Sequence, residues 1–425
     1  MIIQKLFLTN LRGYIEAEFE FQPGMNLLVG INGVGKTTAL EALRITLSQV
    51  LPEITVSKHR KENFLLSDIK IGSYNLQVSC DFVIEDQQFN LLLFRQKETM
   101  KPKDNDSVRD QVEETPDIEK VTPSLKEVFP KADKQRSQPL GIFFSTRRSL
   151  MIDREPTKAM SVGGQAAAFA DALSSNREFN LRIFTDWIRT QMVLGKENPD
   201  ILKSVEVLSE AVYRFLPGFS NLQLKNEDNK YTLTIDKGET TLRFDQLSDG
   251  ERGIVALVMD IARRLYQANP GLEDPLREGR AIILIDELDL HLHPKWQRSI
   301  VENLIRVFPN CQFIVSTHSP QIIGEVQPSS ITIIDNGTNK PANSFGMDSN
   351  RVLEEILDAS PRNKKVNTLL NSLYKSIDEE KITEAKEQIS KLIVILGPDD
   401  PEVTRSSTMI SFLEDELTNE TDNKD

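Results

Sequence analysis

The sequence predicts an α/β fold: a mixed antiparallel lobe plus a parallel sheet with helices, an inserted helical and loop region, and a C-terminal helical tail. Three observations predict it. Apolar runs and turn residues alternate at strand spacing through residues 1–30 and 74–94. After residue 250, helix-like and strand-like segments take turns, which is the rhythm of parallel βαβ units. Beyond residue 366, apolar residues recur at helical spacing.

In order, Ile2 to Thr9 is apolar-rich, Tyr14 to Phe21 alternates, Pro23-Gly24 turns, and Met25 to Val29 is a short buried run. Tyr74 to Ile84 and Phe89 to Phe94 read as two more strands. From Lys101 to Asp117 only Val108 and Val112 are apolar, the pattern of a surface insertion or loop. Strand character resumes at GIFFS, 141–145, and residues 178–216 have a helical pattern. A strand pair surrounds Lys237-Gly238 within 231–244. IVALVMDIARRL, after Gly250, is apolar nearly all round and predicts a buried helix. The strand AIILI, a helix from about Pro294, the strand QFIVS and the strand ITIID (331–335) follow. In the tail, Val366, Leu369, Leu370, Leu373 and Ile377 share one helical face. Ile382, Ala385, Ile389, Leu392, Ile393 and Leu396 form a second stripe ended by Gly397-Pro398, and Val403, Ile410, Leu413 and Leu417 a third. Helices this short bury too little to stand alone, so they are expected to dock on the body or on a partner.

Composition narrows the function classes. The 425 residues leave room for a sizeable core, and 39% of them are hydrophobic. No apolar run approaches the roughly 18 residues of a membrane span, and Gln4, Lys5 and Asn10 interrupt the N-terminal apolar stretch, so neither membrane insertion nor a secretory signal is expected. Cys80 and Cys311 provide neither a disulfide framework nor a metal knuckle. A cytoplasmic protein is expected. The net charge of −13 repels nucleic acid on average, so any DNA contact must come from a local patch or from a partner.

Gly30-Ile31-Asn32-Gly33-Val34-Gly35-Lys36-Thr37, followed by Thr38, fits G-x-x-x-x-G-K-[ST] between a strand and a helix. The glycines allow backbone N–H groups to turn inward on phosphates, Lys36 reaches the β and γ groups, and Thr37 offers its hydroxyl to Mg2+. ATP or GTP binding follows. Asp286 and Glu287 come just past AIILI, where successive side chains point opposite ways. Asp286 is thereby suited to the magnesium shell and Glu287 to polarising the attacking water. His318, after QFIVST, can hydrogen-bond the γ-phosphate or hold that water in line. His291-x-His293 could be a metal pair, but no third ligand is close in sequence, and a packing or loop-bracing role is favoured. Ser248-Asp249-Gly250-Glu251 has the form of a capping box, and its helix N-terminus could equally meet a phosphate.

Taken together, LTNLRGY, GINGVGKTT, LSDGER, LIDELDLHLHP and STHSP resemble, in that order, the ATP-binding-cassette type of head found in RecF, SMC proteins and related repair ATPases. The resemblance implies ATP hydrolysis with Mg2+ and a head-to-head dimer. Ser248 and Gly250 would touch the γ-phosphate held by the opposite chain, and Asp289 would lie in the loop linking the two sites. Asp249 replaces the glycine of the usual LSGGQ and is expected to face solvent or an arginine. The stretch between Thr37 and Ser248 is too short for SMC coiled-coil arms and long for a transporter cassette. The tail is similar to the end of the PtuA family of Septu anti-phage ATPases, which implies an HNH nuclease partner. An alternative is a RecF-like ATP-gated DNA-binding or repair module. A built-in nuclease is not expected, since the residues after 336 read as helices without an acidic metal cluster. On this reading residues 1–95 form the first ATPase lobe, 96–140 a polar insertion, and 141–239 a strand with a helical lid or arm. Residues 240–345 form the second lobe and 346–425 a partner-docking region. Lys58, Arg60, Lys61, Arg147 and Arg148, with Arg12 near the nucleotide, are the candidate DNA or phosphate contacts.

Overall fold

The computed structural model describes residues 1–97, 118–125, 138–149, 151–152, 164–227, 230–335, 338–341 and 344–422. The expected loop at 101–117 lies outside these residues. The chain divides into two compact units, Met1–Val352 and Leu353–Asp425.

In the first unit, strands β1 (Ile2–Thr9), β2 (Glu16–Glu20), β4 (Asn75–Ile84), β5 (Gln87–Gln96) and β6 (Ile118–Thr122) form an antiparallel sheet, ordered β2-β1-β4-β5-β6. Strand β6 falls inside the segment expected to be a polar insertion. It instead closes the edge of this sheet, pairing Asn90 with Thr122 through Phe94 with Ile118. The alternation of β4, buried at every second residue from Leu76 to Ile84, gives the sheet one core face.

The second sheet contains β3 (Met25–Val29), β7 (Leu140–Phe144), β13 (Ala281–Ile285), β14 (Gln312–Thr317), β15 (Ile331–Asp335) and β16 (Thr338–Pro341), ordered β16-β15-β3-β14-β13-β7. Strands β15, β3, β14, β13 and β7 run parallel, and only β16 is antiparallel. MNLLV, LGIFF and AIILI are buried at every position, as unbroken apolar runs in a sheet covered on both faces should be. Helix α1 (Lys36–Ile54) packs on β7, β13 and β14 and also on β4, so it lies against both sheets. Gln312 links the sheets directly: its side chain accepts from the Ile3 N–H at 2.9 Å and donates to the Ile3 carbonyl at 2.8 Å.

Between the two halves of this sheet in sequence lie β8 (Met151–Ile152), β9 (Phe179–Asn180), α2 (Leu181–Leu194), α3 (Lys203–Phe215) and a three-stranded antiparallel sheet. That sheet consists of β10 (Phe219–Glu227), β11 (Lys230–Lys237) and β12 (Thr240–Arg243). The helical pattern at 178–216, inside the region expected to be a strand with a helical lid or arm, is two helices. Leu208, Ala211, Val212 and Phe215 of α3 are buried, and α3 packs along α4 (Asp249–Ala268). The polar edge strand β10 gave no apolar run to read.

Helix α4 is anchored by a buried charge cluster. Asp260 accepts from Arg177 Nη1 at 2.6 Å, Arg263 Nη2 at 2.9 Å and Arg264 Nε at 2.9 Å. Arg264 also donates to the carbonyls of Ala168 and Ala170, and Arg177 to that of Phe143 in β7. Burial alone would raise the Asp260 carboxyl, but the three guanidinium groups overcome it and hold the group well below the usual carboxylate range.

The second unit carries α6 (Lys364–Asp378), α7 (Ile382–Leu396) and α8 (Pro401–Asp422), after α5 (Pro294–Val307) of the first unit. Val366, Leu370, Leu373 and Ile377 meet Ala385, Ile389 and Leu392, with Val403 and Ile410 completing a small core. Most residues of the three stripes make or flank this core, but Ile393 is exposed and stays outside it, and the Leu417 side chain lies outside the described residues. Val394 (86% exposed) and Phe412 (68%) stay outside it. No helix among the described residues is long and apolar enough to cross a membrane.

Candidate nucleotide-hydrolysis site

Parallel pairing places the site. Residues Val29, Thr317, Ile285 and Phe144 all end their strands on one edge of the second sheet. The loops that leave them converge there, the usual ligand position in an open α/β sheet.

The phosphate loop leaves β3. Gly30 has φ +155, and a Cβ on it would sit 2.6 Å from the Ile334 carbonyl of β15. Gly35 has φ +111 and lies against Tyr14, whose hydroxyl would be 2.5 Å from an added Cβ. Ile31, Asn32 and Gly33 are exposed, and Val34 is half-buried. Helix α1 starts directly on Gly35, with no side-chain cap and no acid in its first turn, so its free N–H groups face the loop. The Lys36 ammonium is buried in the same turn and donates to the carbonyls of Gly30 at 2.6 Å and Ile31 at 2.9 Å. Burial lowers its pKa, and Asp286, Glu287 and Asp289 oppose that shift. Thr37 is exposed and Thr38 half-buried in this first turn.

The Thr37 hydroxyl lies 3.0 Å from Asp286 Oδ2, bringing together residues that are far apart in sequence. Asp286 Oδ1 accepts from the Ser316 hydroxyl at 2.6 Å. The same Ser316 oxygen accepts the Glu287 N–H at 2.7 Å, and the Asp286 N–H donates to the Phe144 carbonyl at 2.8 Å. Glu287 sits at φ +52, left-handed for a non-glycine residue. Asp289 is buried and bound within its own chain: the Thr317 hydroxyl donates to it at 2.6 Å, and His318 Nε2 is 3.4 Å from its other oxygen. The His318 side chain is half exposed at the same edge. His293 caps α5, accepting the Lys295 N–H through Nδ1 at 3.2 Å, a loop-bracing role.

Ser248 forms the capping box that opens α4. Its N–H donates to Glu251 Oε2 at 3.0 Å, and its hydroxyl accepts the Glu251 N–H at 3.4 Å. Burial would raise the Glu251 carboxyl, but Lys237 and Ser248 offset it and hold it low. Asp249 is exposed and pairs with Arg252. A Cβ on Gly250 would lie 2.6 Å from the His291 carbonyl, so α4 starts in close contact with the turn that follows Glu287.

The basic candidates separate. Arg12 pairs with Asp68 at 2.9 Å, two residues before the Tyr14 that meets Gly35. Lys58 and Arg60 are exposed, and Lys61 pairs with Glu53 at 3.0 Å in the last turn of α1. That end is about 28 Å along the helix from the phosphate loop. Arg147 is exposed. Arg148 corrects the expectation of a DNA-facing arginine, because its guanidinium turns inward and donates to the carbonyls of Asp286, Glu287 and Ser145. Burial pulls its pKa down to about 10, against the pull of Asp286, Asp289 and Glu287. Tyr14, Ser316 and Ile334 also touch these groups, and no motif in the sequence marks them. Tyr14 sits next to the LRG turn, but its contact with Gly35 is visible only once the antiparallel sheet is folded.

Residues 25–324 match the family model described as "AAA domain, putative AbiEii toxin, Type IV TA system". The chain is an AAA-family ATPase. Across 94% of its length it is 26% identical to the "Retron Ec83 probable ATPase" of Escherichia coli, of which it covers 84%. It is 22% identical to the Septu protein PtuA of Bacillus thuringiensis over 94% of its own length and 96% of that protein. Among solved structures it is similar to an SMC head bound to the C-terminal winged-helix domain of ScpA, with TM-score 0.46 and 14% identity over 80% of the ATPase and 97% of that chain. The matched family region, 25–324, takes in the phosphate loop, the start of α4, the Asp286-Glu287 pair and His318.

Proposed function

We propose that this ATPase is the regulatory subunit of an anti-phage defence system. It works as a head-to-head dimer that encloses ATP and controls an HNH-type nuclease. The observation that carries the reading is the convergence of Lys36, Thr37, Asp286, Glu287 and His318 at one sheet edge, in a chain whose relatives from retron and Septu systems match over nearly its whole length.

In the mechanism, Lys36 exchanges the Gly30 and Ile31 carbonyls for the β- and γ-phosphates. Thr37 and Asp286 supply a hydroxyl and a carboxylate 3.0 Å apart, hard oxygen donors that fit Mg2+. Bound Mg2+ would neutralise charge on the phosphate oxygens. Glu287 takes the proton of the attacking water, and His318, held by Asp289, steadies the γ-phosphate. The α4 N-terminus of the second chain, with Ser248 and Gly250, closes the pocket. The nuclease docks on the Leu353–Asp425 unit, where Val394 and Phe412 leave apolar surface uncovered. Exposed Arg147 and the Lys58–Lys61 run add to a DNA path in the assembled complex.

Co-expression of the tagged chain with its neighbouring reading frames tests this. The expected result is an HNH-type nuclease retained in fixed stoichiometry and lost on deletion of residues 353–425. A chain that purifies alone and binds DNA only with ATP would support the RecF-like reading instead.

A further inference from the structure

We propose that Arg148 is a positioning residue for hydrolysis: its guanidinium, bridging the successive carbonyls of Asp286 and Glu287, fixes the backbone that aims the Glu287 carboxylate. This rests on the reading of Glu287 as the base. No described residue hydrogen-bonds the Glu287 carboxylate, so its direction is set by its own backbone. That backbone is left-handed at φ +52, a conformation that persists only where neighbours over-determine it. They do so from both flanking strands. On the β14 side, Ser316 accepts the Glu287 N–H at 2.7 Å and its carbonyl accepts the Leu288 N–H at 2.8 Å. On the β7 side, Phe144 accepts the Asp286 N–H and the Arg148 fork takes both carbonyls. A planar two-pronged donor suits two adjacent carbonyls, whereas a lysine reaches one.

The test measures kcat, KM and nucleotide affinity for the full-length wild type, R148A, R148K, E287Q and the R148A/E287Q double variant. R148A is expected to lower kcat by about 10- to 100-fold, the scale of a small misplacement of a reacting group, while affinity stays within about twofold. R148K should fall between R148A and wild type, keeping the question open to test if R148A folds poorly. Added guanidinium should restore part of the R148A rate. In the E287Q background, R148A should cause no further loss, because the group it aims is already gone. A loss that falls on affinity, or one that multiplies with E287Q, overturns the positioning role. If E287Q alone hydrolyses at the wild-type rate, the fault lies in the reading of Glu287, whatever Arg148 does.

Discussion

Glu287→Gln keeps nucleotide affinity and loses about 10²- to 10⁴-fold in hydrolysis rate, the worth of a positioned general base. The substitution is isosteric and removes only the proton acceptor. The groups proposed to bind phosphate and metal lie elsewhere: Lys36 on the loop, Thr37 and Asp286 across 3.0 Å, and the open start of α1. The Glu287 backbone contacts to Ser316 and Arg148 do not involve the changed atoms. Steady-state phosphate release together with equilibrium nucleotide binding separates the two effects. A parallel fall in both would place Glu287 in binding, and an unchanged rate would remove it from the chemistry.

Asp260→Asn destabilises the first unit by about 3–5 kcal/mol, the usual cost of leaving buried charge without its counter-ion. The residue is 4% exposed, and Arg177, Arg263 and Arg264 converge on its carboxylate from 2.6 to 2.9 Å. The amide keeps the shape but leaves three guanidinium groups with no anion among them. Both tryptophans, Trp187 and Trp296, belong to the first unit, so their fluorescence through a denaturant titration reports the shift without interference from the tail. The pH dependence has a definite sign. The folded carboxyl is held far below its unfolded value, so its contribution is complete above about pH 4 and declines as acid begins to protonate the unfolded chain. The variant should lack that part of the acid sensitivity. A change in unfolding free energy below about 1 kcal/mol, no more than an ordinary point substitution causes, would show that the cluster is not the anchor described.

Legibility in the sequence followed how locally each feature is encoded. The phosphate loop, the acids after AIILI and the His318 turn are each set by a strand and the few residues beyond it. Their local periodicity was therefore enough to read them. The capping box at Ser248 was likewise local. What the sequence did not show were the groups that hold these pieces together. Ser316, which joins Asp286 to Glu287, looks like any strand residue until β14 pairs with β13. Arg148 resembled a surface arginine leaving a core strand, and only the parallel pairing of β7 with β13 turns it toward the Asp286 carbonyl. The edge strands β6, β10 and β16 are short or polar, and their partners rather than their own residues define them. The helices at 178–216 carry no local signal for what they pack on, which only contacts such as that of α3 with α4 define.

The most direct measurement of the proposed composite pocket mixes two crippled chains, Lys36→Ala and Ser248→Asp. Aspartate still caps α4 but sets a negative charge where the opposing chain's phosphate would approach, so the fold is kept while the contact across the dimer is lost. Each variant alone should hydrolyse ATP at background. Mixed, they should recover activity, because every hybrid pairs an intact Lys36 loop with an intact Ser248 helix. A mixture no more active than the sum of its parts would contradict a pocket shared between two chains.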